Sequence, residues 1–308
     1  MLSFGVIGAR RKRQGIGEHV ARELHRHGAE VRAIVGTTAE TVEAARRSLE
    51  EKHGIRARGY TSLRAMLDAE ALDGLAICSP IAAHAEALDL AAERRLHVLA
   101  EKPLLDPVRG SGAEARAVAQ RFAEAGRLIV TITQWPFALE AFRRLYPGAN
   151  LAATERFAFR LSPTSRGRQM IVDSLNHPLS MVRALVGTGK ARLLSVAWEG
   201  DDVVRLGADY AHERGRLEMA VELKHVPEQP RPAWFAIDGR RAEREVRLPG
   251  YTMELVAQDG RRTPLEDPLA LLVADFLARA GRGERPDVEA IASDALAMEQ
   301  LLFEVTQR

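Results

Sequence analysis

Along the first part of the chain, short uniformly apolar runs alternate with stretches in which apolar residues recur every three or four positions. Phe4–Ile7 is apolar apart from Gly5 and closes at Gly8, after which Ile16, Val20 and Leu24 recur at helical spacing as far as Gly28. That order is strand, turn, helix. The same rhythm predicts strands over Val31–Val35, Leu75–Cys78 and Leu96–Ala100, and Leu128–Ile132 is counted as the sixth strand. Helices are expected over Glu40–Lys52, Leu63–Asp68 and Ala83–Arg94. Asp106-Pro107 sets a capping carboxylate before a residue preset for the first helical position, so another helix is expected from there to Gly126. Parallel neighbours need long right-handed crossovers rather than hairpins, and the expectation is a doubly wound parallel sheet, a Rossmann-type α/β domain over residues 1–134.

Beyond Gln134 the period shortens to two. In Arg216–His225, Leu217, Met219, Val221 and Leu223 share one face, while Glu218, Glu222 and Lys224 share the other. One face of an antiparallel sheet is buried there. Comparable runs predict strands over Ala152–Leu161, Leu193–Trp198, Val203–Tyr210, Trp234–Ile237 and Tyr251–Ala257, with a helix over Leu179–Val186. One closing helix is opened by Asp267-Pro268, and another runs from about Val288 to Val305. Residues 135–308 are therefore expected to form an α+β domain with an open, mainly antiparallel sheet, and Val226–Pro232 a loop inside it.

Composition narrows the class. The 308 residues are 46% hydrophobic and 28% charged, with 44 basic against 42 acidic side chains and a net charge of +2. The only dense basic run is Arg10-Arg11-Lys12-Arg13, so no nucleic-acid partner is expected. No run approaches the roughly 20 apolar residues of a membrane span. With one cysteine, Cys78, no internal disulfide forms, and with no leader-like segment the expected location is cytoplasmic. No His, Asp or Glu group has metal-ligand spacing, and no metal site is expected.

Gly8-Ala9-Arg10-Arg11-Lys12-Arg13-Gln14-Gly15-Ile16-Gly17 stands where a dinucleotide-binding turn belongs, after a first strand and before a helix. Gly8 and Gly17 serve as first and last glycine. Arg10 replaces the middle glycine, and the turn is about four residues longer than usual. A helix N-terminus attracts phosphate, and added cations strengthen that attraction; the bland alternative is a solvated basic loop. At the end of the second strand, Gly36-Thr37-Thr38 lacks the ribose-binding carboxylate of NAD sites, which favours NADP with NAD possible, unless the threonines merely cap a helix.

Ile77-Cys78-Ser79-Pro80-Ile81-Ala82-Ala83-His84, followed by Leu96-His97-Val98-Leu99-Ala100-Glu101-Lys102-Pro103-Leu104, resembles the glucose-fructose oxidoreductase, inositol dehydrogenase and MocA family. That family's second signature is Asp-x-x-x-His-x-x-Asp. Asp173-Ser174-Leu175-Asn176-His177-Pro178-Leu179-Ser180 matches it at Asp173 and His177, with Ser180 in place of the last acid. The resemblance implies a nicotinamide-dependent oxidoreductase in which Lys102 and His177 exchange protons with substrate and Asp173 orients His177. It also implies that Gly8, Ala9, Arg10, Arg11, Gly15, Ile16, Gly17, Thr37, Thr38, Ser79, Pro80, His84, Glu101, Lys102 and Gln134 border the cofactor. A lysine desolvated beside nicotinamide suits proton exchange. Arg156, Arg160, Arg166 and Arg168 are a further candidate, for an anionic substrate group.

The expected activity is hydride transfer between nicotinamide and a carbonyl, imine or alcohol carbon of a small polar substrate, sugar-like or anionic. The alternative is a non-catalytic sensor of NADP or a metabolite. The expected partner is a second copy, in a homodimer through the open sheet.

Overall fold

A computed structural model describes residues 1–9, 15–107 and 112–307. The molecule packs as two compact units of non-contiguous segments. The first holds Met1–Asp106, Ala115–Ile132 and Leu269–Val288; the second holds Pro107–Glu114, Thr133–Pro268 and Glu289–Arg308. The change of unit at Ile132 falls two residues before the boundary expected at 134, and the chain later returns to the first unit.

The first unit is built on a six-stranded sheet in the order β3-β2-β1-β4-β5-β6, every pair parallel. Its strands are β1 Ser3–Ile7, β2 Glu30–Val35, β3 Arg58–Tyr60, β4 Gly74–Ile77, β5 His97–Ala100 and β6 Ile129–Thr131. The crossovers are α1 Gly17–Arg26, α2 Ala39–His53, α3 Leu63–Ala69, α4 His84–Glu93 and α5 Gly112–Glu124. β1, β4 and β5 are buried at every position, which is why they read as unbroken apolar runs. Only five of the six expected strands are assigned a run; the one without is β3 at the edge, where Arg58-Gly59-Tyr60 offers no apolar run to recognise. A helix from far along the chain, Pro268–Gly281, packs here too: Phe276 meets Phe4 edge to face at 5.8 Å. The expected helix start at Asp106-Pro107 needs correction, since Pro107 lies in a turn and α5 spans Gly112–Glu124; residues 108–111 lie outside the described part.

One register row crosses the sheet through Val35, Ile7, Ile77, Ala100 and Thr131. The strands therefore end together, and Gly8, Cys78, Glu101 and Ile132 each donate a backbone N–H to the neighbouring strand at 2.7–3.0 Å. From β1 the chain winds one way to β2 and β3, then returns to add β4, β5 and β6 on the other side. This switch point opens a ligand crevice at the carboxyl ends of β1 and β4.

The second unit is an eight-stranded sheet in the order β14-β13-β12-β11-β7-β10-β9-β8. It comprises β7 Arg156–Leu161, β8 Gly189–Glu199, β9 Val203–His212, β10 Gly215–Lys224, β11 Ala233–Ile237, β12 Arg240–Arg247, β13 Thr252–Ala257 and β14 Arg262–Leu265. Every pair is antiparallel except β7 with β10. One face carries a core of Phe157, Phe159, Met219, Val221, Phe235 and Leu255 packed with residues of α6 Leu139–Leu145, α7 Arg168–Ser174, α8 Asn176–Val186 and the last helix, Val288–Thr306. The run Ala152–Leu161 is only partly strand: Leu151–Ala153 forms one 3-10 turn and β7 begins at Arg156. Helices α6 and α7 and strands β12 and β14 were not expected from the pattern. Val226–Pro232 is a loop, as expected. Among the described residues no helix is long and apolar enough to cross a membrane.

Candidate active site

The candidate residues fall into two sets, one in each unit. In the first unit, Gly8 ends β1 at φ +77°, and a Cβ there would stand 2.6 Å from the Cys78 carbonyl oxygen. A Cβ on Gly17 would stand 2.2 Å from the Gly8 oxygen. Both glycines are required by backbone meeting backbone, one by its left-handed turn and both by close approach. The side chain of Ala9 is buried, and Gly15 and Ile16 are partly exposed where α1 begins. Arg10 and Arg11 lie outside the described residues.

At the end of β2, Thr38 caps α2: its hydroxyl accepts the Thr41 N–H at 3.2 Å, and the Thr41 hydroxyl accepts the Thr38 N–H at 3.1 Å. Thr37 is exposed beside it. The capping alternative is thus realised for Thr38.

Ser79 ends β4 with its hydroxyl buried and without a hydrogen-bond partner, next to the exposed Pro80. His84 opens α4, 1% exposed, between two carbonyls: Nε2 lies 3.1 Å from Ser79 O and Nδ1 3.1 Å from Leu104 O. The ring ties the loop after β4 to the Glu101-Lys102-Pro103-Leu104 loop after β5. The Lys102–Pro103 peptide is cis. Lys102 is 15% exposed in its side chain, with Nζ 3.7 Å from Glu101 Oε1. It is therefore a largely desolvated lysine beside a carboxylate, at a strand end on the ligand edge of the sheet.

In the second unit, Asp173 sits on α7 and His177 on the first turn of α8, both half-buried. Leu175 separates the helices yet keeps helical dihedrals, and hydrogen bonds from Leu175 N to Ile171 O and from Leu179 N to Leu175 O run across the junction. The four-residue spacing thus keeps Asp173 and His177 on one side of the segment. Gln169 Nε2 donates to Asp173 Oδ1 at 2.8 Å. Ser180, where the resemblance leads one to look for an acid, is fully buried and donates to the His177 carbonyl at 2.8 Å. Of the four arginines ahead of this motif, Arg160 pairs with Glu222 at 3.1 Å and Arg166 with Asp202 at 3.2 Å, while Arg156 and Arg168 are exposed.

Gln134 precedes a single 3-10 turn, Trp135–Ala138, that packs on α8, and its Oε1 is buried without a partner. Trp135 is 3% exposed and meets Phe159 edge to face at 5.0 Å. Over its ring, 5.0 Å away, stands the Arg244 guanidinium, a residue that sequence reasoning missed. Arg244 shares the core face of β12 with the buried Ala242, and its register neighbours Ala233 and Leu255 are buried. Its Nη2 donates to the Arg231 carbonyl at 3.3 Å, and its Nε is buried without a partner. Burial draws both Arg231 and Arg244 below the ordinary arginine pKa; Tyr251 opposes the shift in both, and Arg231 adds to it in Arg244.

Residues 2–133 match the family described as "Oxidoreductase family, NAD-binding Rossmann fold". The chain is 28% identical over 273 residues to D-apiose dehydrogenase of Paraburkholderia graminis, an alignment covering 81% of this chain and 68% of the relative. Its fold is shared by an oxidoreductase from Agrobacterium radiobacter solved with NAD+, L-tartaric acid and magnesium (TM-score 0.66, 17% identity, 100% of this chain and 96% of the other). It is shared as well by levoglucosan dehydrogenase solved with NADH and levoglucosan (TM-score 0.72, 16% identity, 99% and 97% covered). Through residues 2–133 the chain carries the NAD-binding Rossmann domain of the glucose-fructose oxidoreductase, inositol dehydrogenase and MocA oxidoreductase family.

Proposed function

We propose that this protein is a nicotinamide-dependent dehydrogenase that interconverts an alcohol and a carbonyl on a small polar, sugar-like or anionic substrate. The observation that carries the proposal is Lys102, 15% exposed beside Glu101 at the ligand edge of the parallel sheet. A nicotinamide dinucleotide fits this edge: Gly8 and Gly17 leave room where any side chain would strike backbone, and the buried Ser79 hydroxyl has a hydrogen bond still to make. Gly8, Ala9, Gly15, Ile16 and Gly17 would hold the pyrophosphate, with Thr37, Ser79 and Pro80 along the rest. When bound, the cofactor supplies or accepts the hydride. Lys102 Nζ gives or takes the hydroxyl proton, Glu101 keeps the ammonium oriented, His177 is a second proton-transfer group, and Asp173 holds His177 in place. His84 keeps the two loops that carry Ser79 and Lys102 in register.

The same reading favours NADP over NAD, because Gly36-Thr37-Thr38 puts no carboxylate at the end of β2 to repel a 2′-phosphate. NADPH should titrate more tightly than NADH; equal curves remove the preference. A homodimer through the open face of the second sheet belongs to the proposal. The test of the activity is Lys102→Ala, expected to lower kcat by about a thousandfold, within the usual range for losing a general acid, while NADPH affinity stays within a few-fold. Turnover retained at the wild-type rate would make the lysine structural, and cofactor binding without turnover on any sugar, polyol or hydroxy acid would favour the sensor.

A further inference from the structure

The core face of an antiparallel sheet is the costliest place for a cation, and here it holds one with no acid beside it. Arg244 lies between Ala233 and Leu255 on that face, 5.0 Å above the Trp135 ring. Arg231 approaches from the loop before β11, near enough to repel it. Among the described residues no carboxylate pairs with either guanidinium at ion-pair distance; the Tyr251 hydroxyl acts on both guanidiniums, and Asp267 exerts the weakest of the influences on Arg244. The ring face of Trp135 offsets part of the desolvation, and the Arg231 carbonyl takes one N–H. The Nε–H, on the side of the fork that grips an oxyanion, is left unmatched. A half-buried guanidinium that has a ring face and one carbonyl for partners but no carboxylate keeps a costly unmatched Nε–H, a donor that an anion arriving from outside can take. The same Trp135 turn packs on α8, the helix that carries His177. Arg160 and Arg166 differ in that each is already ion-paired with a carboxylate, Glu222 and Asp202.

We propose that Arg244, assisted by Arg231, is the specificity-determining anchor for an anionic oxygen group, a carboxylate or phosphate, on the substrate. The inference rests on the dehydrogenase reading above and narrows its substrate to acids of the sugar class: aldonates, uronates or sugar phosphates rather than neutral polyols. A guanidinium gripping the group through Nε and an Nη holds it in two parallel hydrogen bonds, which a neutral hydroxymethyl cannot replace.

Trp135 makes the test independent of turnover. Tryptophan fluorescence of the full-length protein is titrated with four- to six-carbon aldonates, with the corresponding sugar phosphates, and with the parent neutral sugars. Wild type should give a saturable change with an aldonate or a phosphate but not with the neutral sugar, and Trp135→Phe should lose it. Arg244→Gln should weaken the anion by about tenfold or more, Arg244→Lys by less, and Arg231→Gln by less again, all with unaltered circular dichroism and NADPH affinity. Which of the two anion series saturates decides between carboxylate and phosphate. The proposal is overturned if neither series saturates below about 10 mM, well above the usual KM range. It is equally overturned if Arg244→Gln titrates as wild type does, or if the neutral sugar binds as tightly as the acid. Failure of the dehydrogenase reading shows separately, as absent NADPH binding or as turnover indifferent to Lys102.

Discussion

The two sheets solve burial differently. In the first unit β5 is buried at all four positions, so consecutive residues such as Val98 and Leu99 face opposite layers and are both fully excluded from solvent. In the second unit β10 alternates, with Leu217, Met219, Val221 and Leu223 buried and Glu218, Ala220 and Lys224 exposed. A sheet covered on both sides has only its strand ends for chemistry, and there the candidate site gathers glycine backbone, Ser79 and Lys102. A sheet covered on one side can spend a core-facing position on a functional charge, and Arg244 occupies one.

The sharpest way to break this comparison is to truncate neighbours along each strand. Val98→Ala and Leu99→Ala should each destabilise the protein, the latter by about 2–5 kcal/mol, because both leave buried cavities. In β10, Met219→Ala should cost a similar amount, whereas Glu218→Ala should stay within about 0.5 kcal/mol. Urea unfolding of the four variants gives the pattern; equal costs at 218 and 219 would show that the second sheet is covered on both faces.

Strand ends make the next prediction. A methyl on Gly17 meets the Gly8 carbonyl at 2.2 Å, and backbone cannot swing aside as a side chain does. Gly17→Ala should therefore cost about 1–3 kcal/mol and should weaken NADPH binding more than it lowers the urea midpoint, because the strain falls on the turn itself. Unchanged cofactor affinity would detach this turn from the proposed function.

What the residue pattern revealed follows from the same contrast. Continuous burial writes continuous apolar runs, so β1, β4 and β5 were legible; β2 and β6, buried in part, still show short apolar runs, while β3 was not legible because two of its three residues are exposed. Alternation made β10 plain, but β12 alternates charge with charge, Glu243 outward and Arg244 inward, so no periodicity marks it. The glycine turn stands out by its place between the first strand and the first helix, whereas Lys102 and the Asp173–His177 pair are singled out by the family resemblance of their local motifs. Arg244 was not, since its meaning lies in Trp135, 109 positions earlier in the chain. The resemblance sets His84 beside the cofactor; the two carbonyls around its ring come from segments far enough apart in the chain that only the structure shows them.

At the opposite end of the first sheet a buried imidazole gives a smaller, pH-dependent effect. His97 opens β5, where Nδ1 accepts the Leu128 N–H at 3.0 Å, and burial, with Arg127 nearby, holds its pKa below the ordinary histidine value. The folded state thus binds its proton less readily than the unfolded chain. This contribution is complete above the ordinary histidine pKa and is lost as the pH falls through the lower folded one. Urea midpoints of wild type should fall between about pH 8 and 5 more than those of His97→Asn, whose amide oxygen can still accept from Leu128. Identical slopes would mean that His97 titrates alike in both states.

The smallest effect on stability should be the most telling for assembly. Across the open face of the second sheet, Arg205, Glu222, Arg160 and Trp234 share one register row, and Glu222 bridges both arginines, at 2.8 Å to Arg205 and 3.1 Å to Arg160. Leu194 and Trp198 stand exposed on β8 at the edge of the sheet. Ion pairs open to water contribute little to one chain's stability, so Glu222→Arg should leave the urea midpoint of dilute protein almost unchanged. If two copies cover this face, however, three guanidiniums in the row would confront their symmetry mates, and like charges desolvated at an interface oppose association. Light scattering of wild type at micromolar concentration is expected to give twice the mass of one chain, and Glu222→Arg to shift it toward a single chain. A wild-type mass of one chain would end the dimer proposal. A variant that stays dimeric would place the contact on another face and leave this row as a solvated stripe.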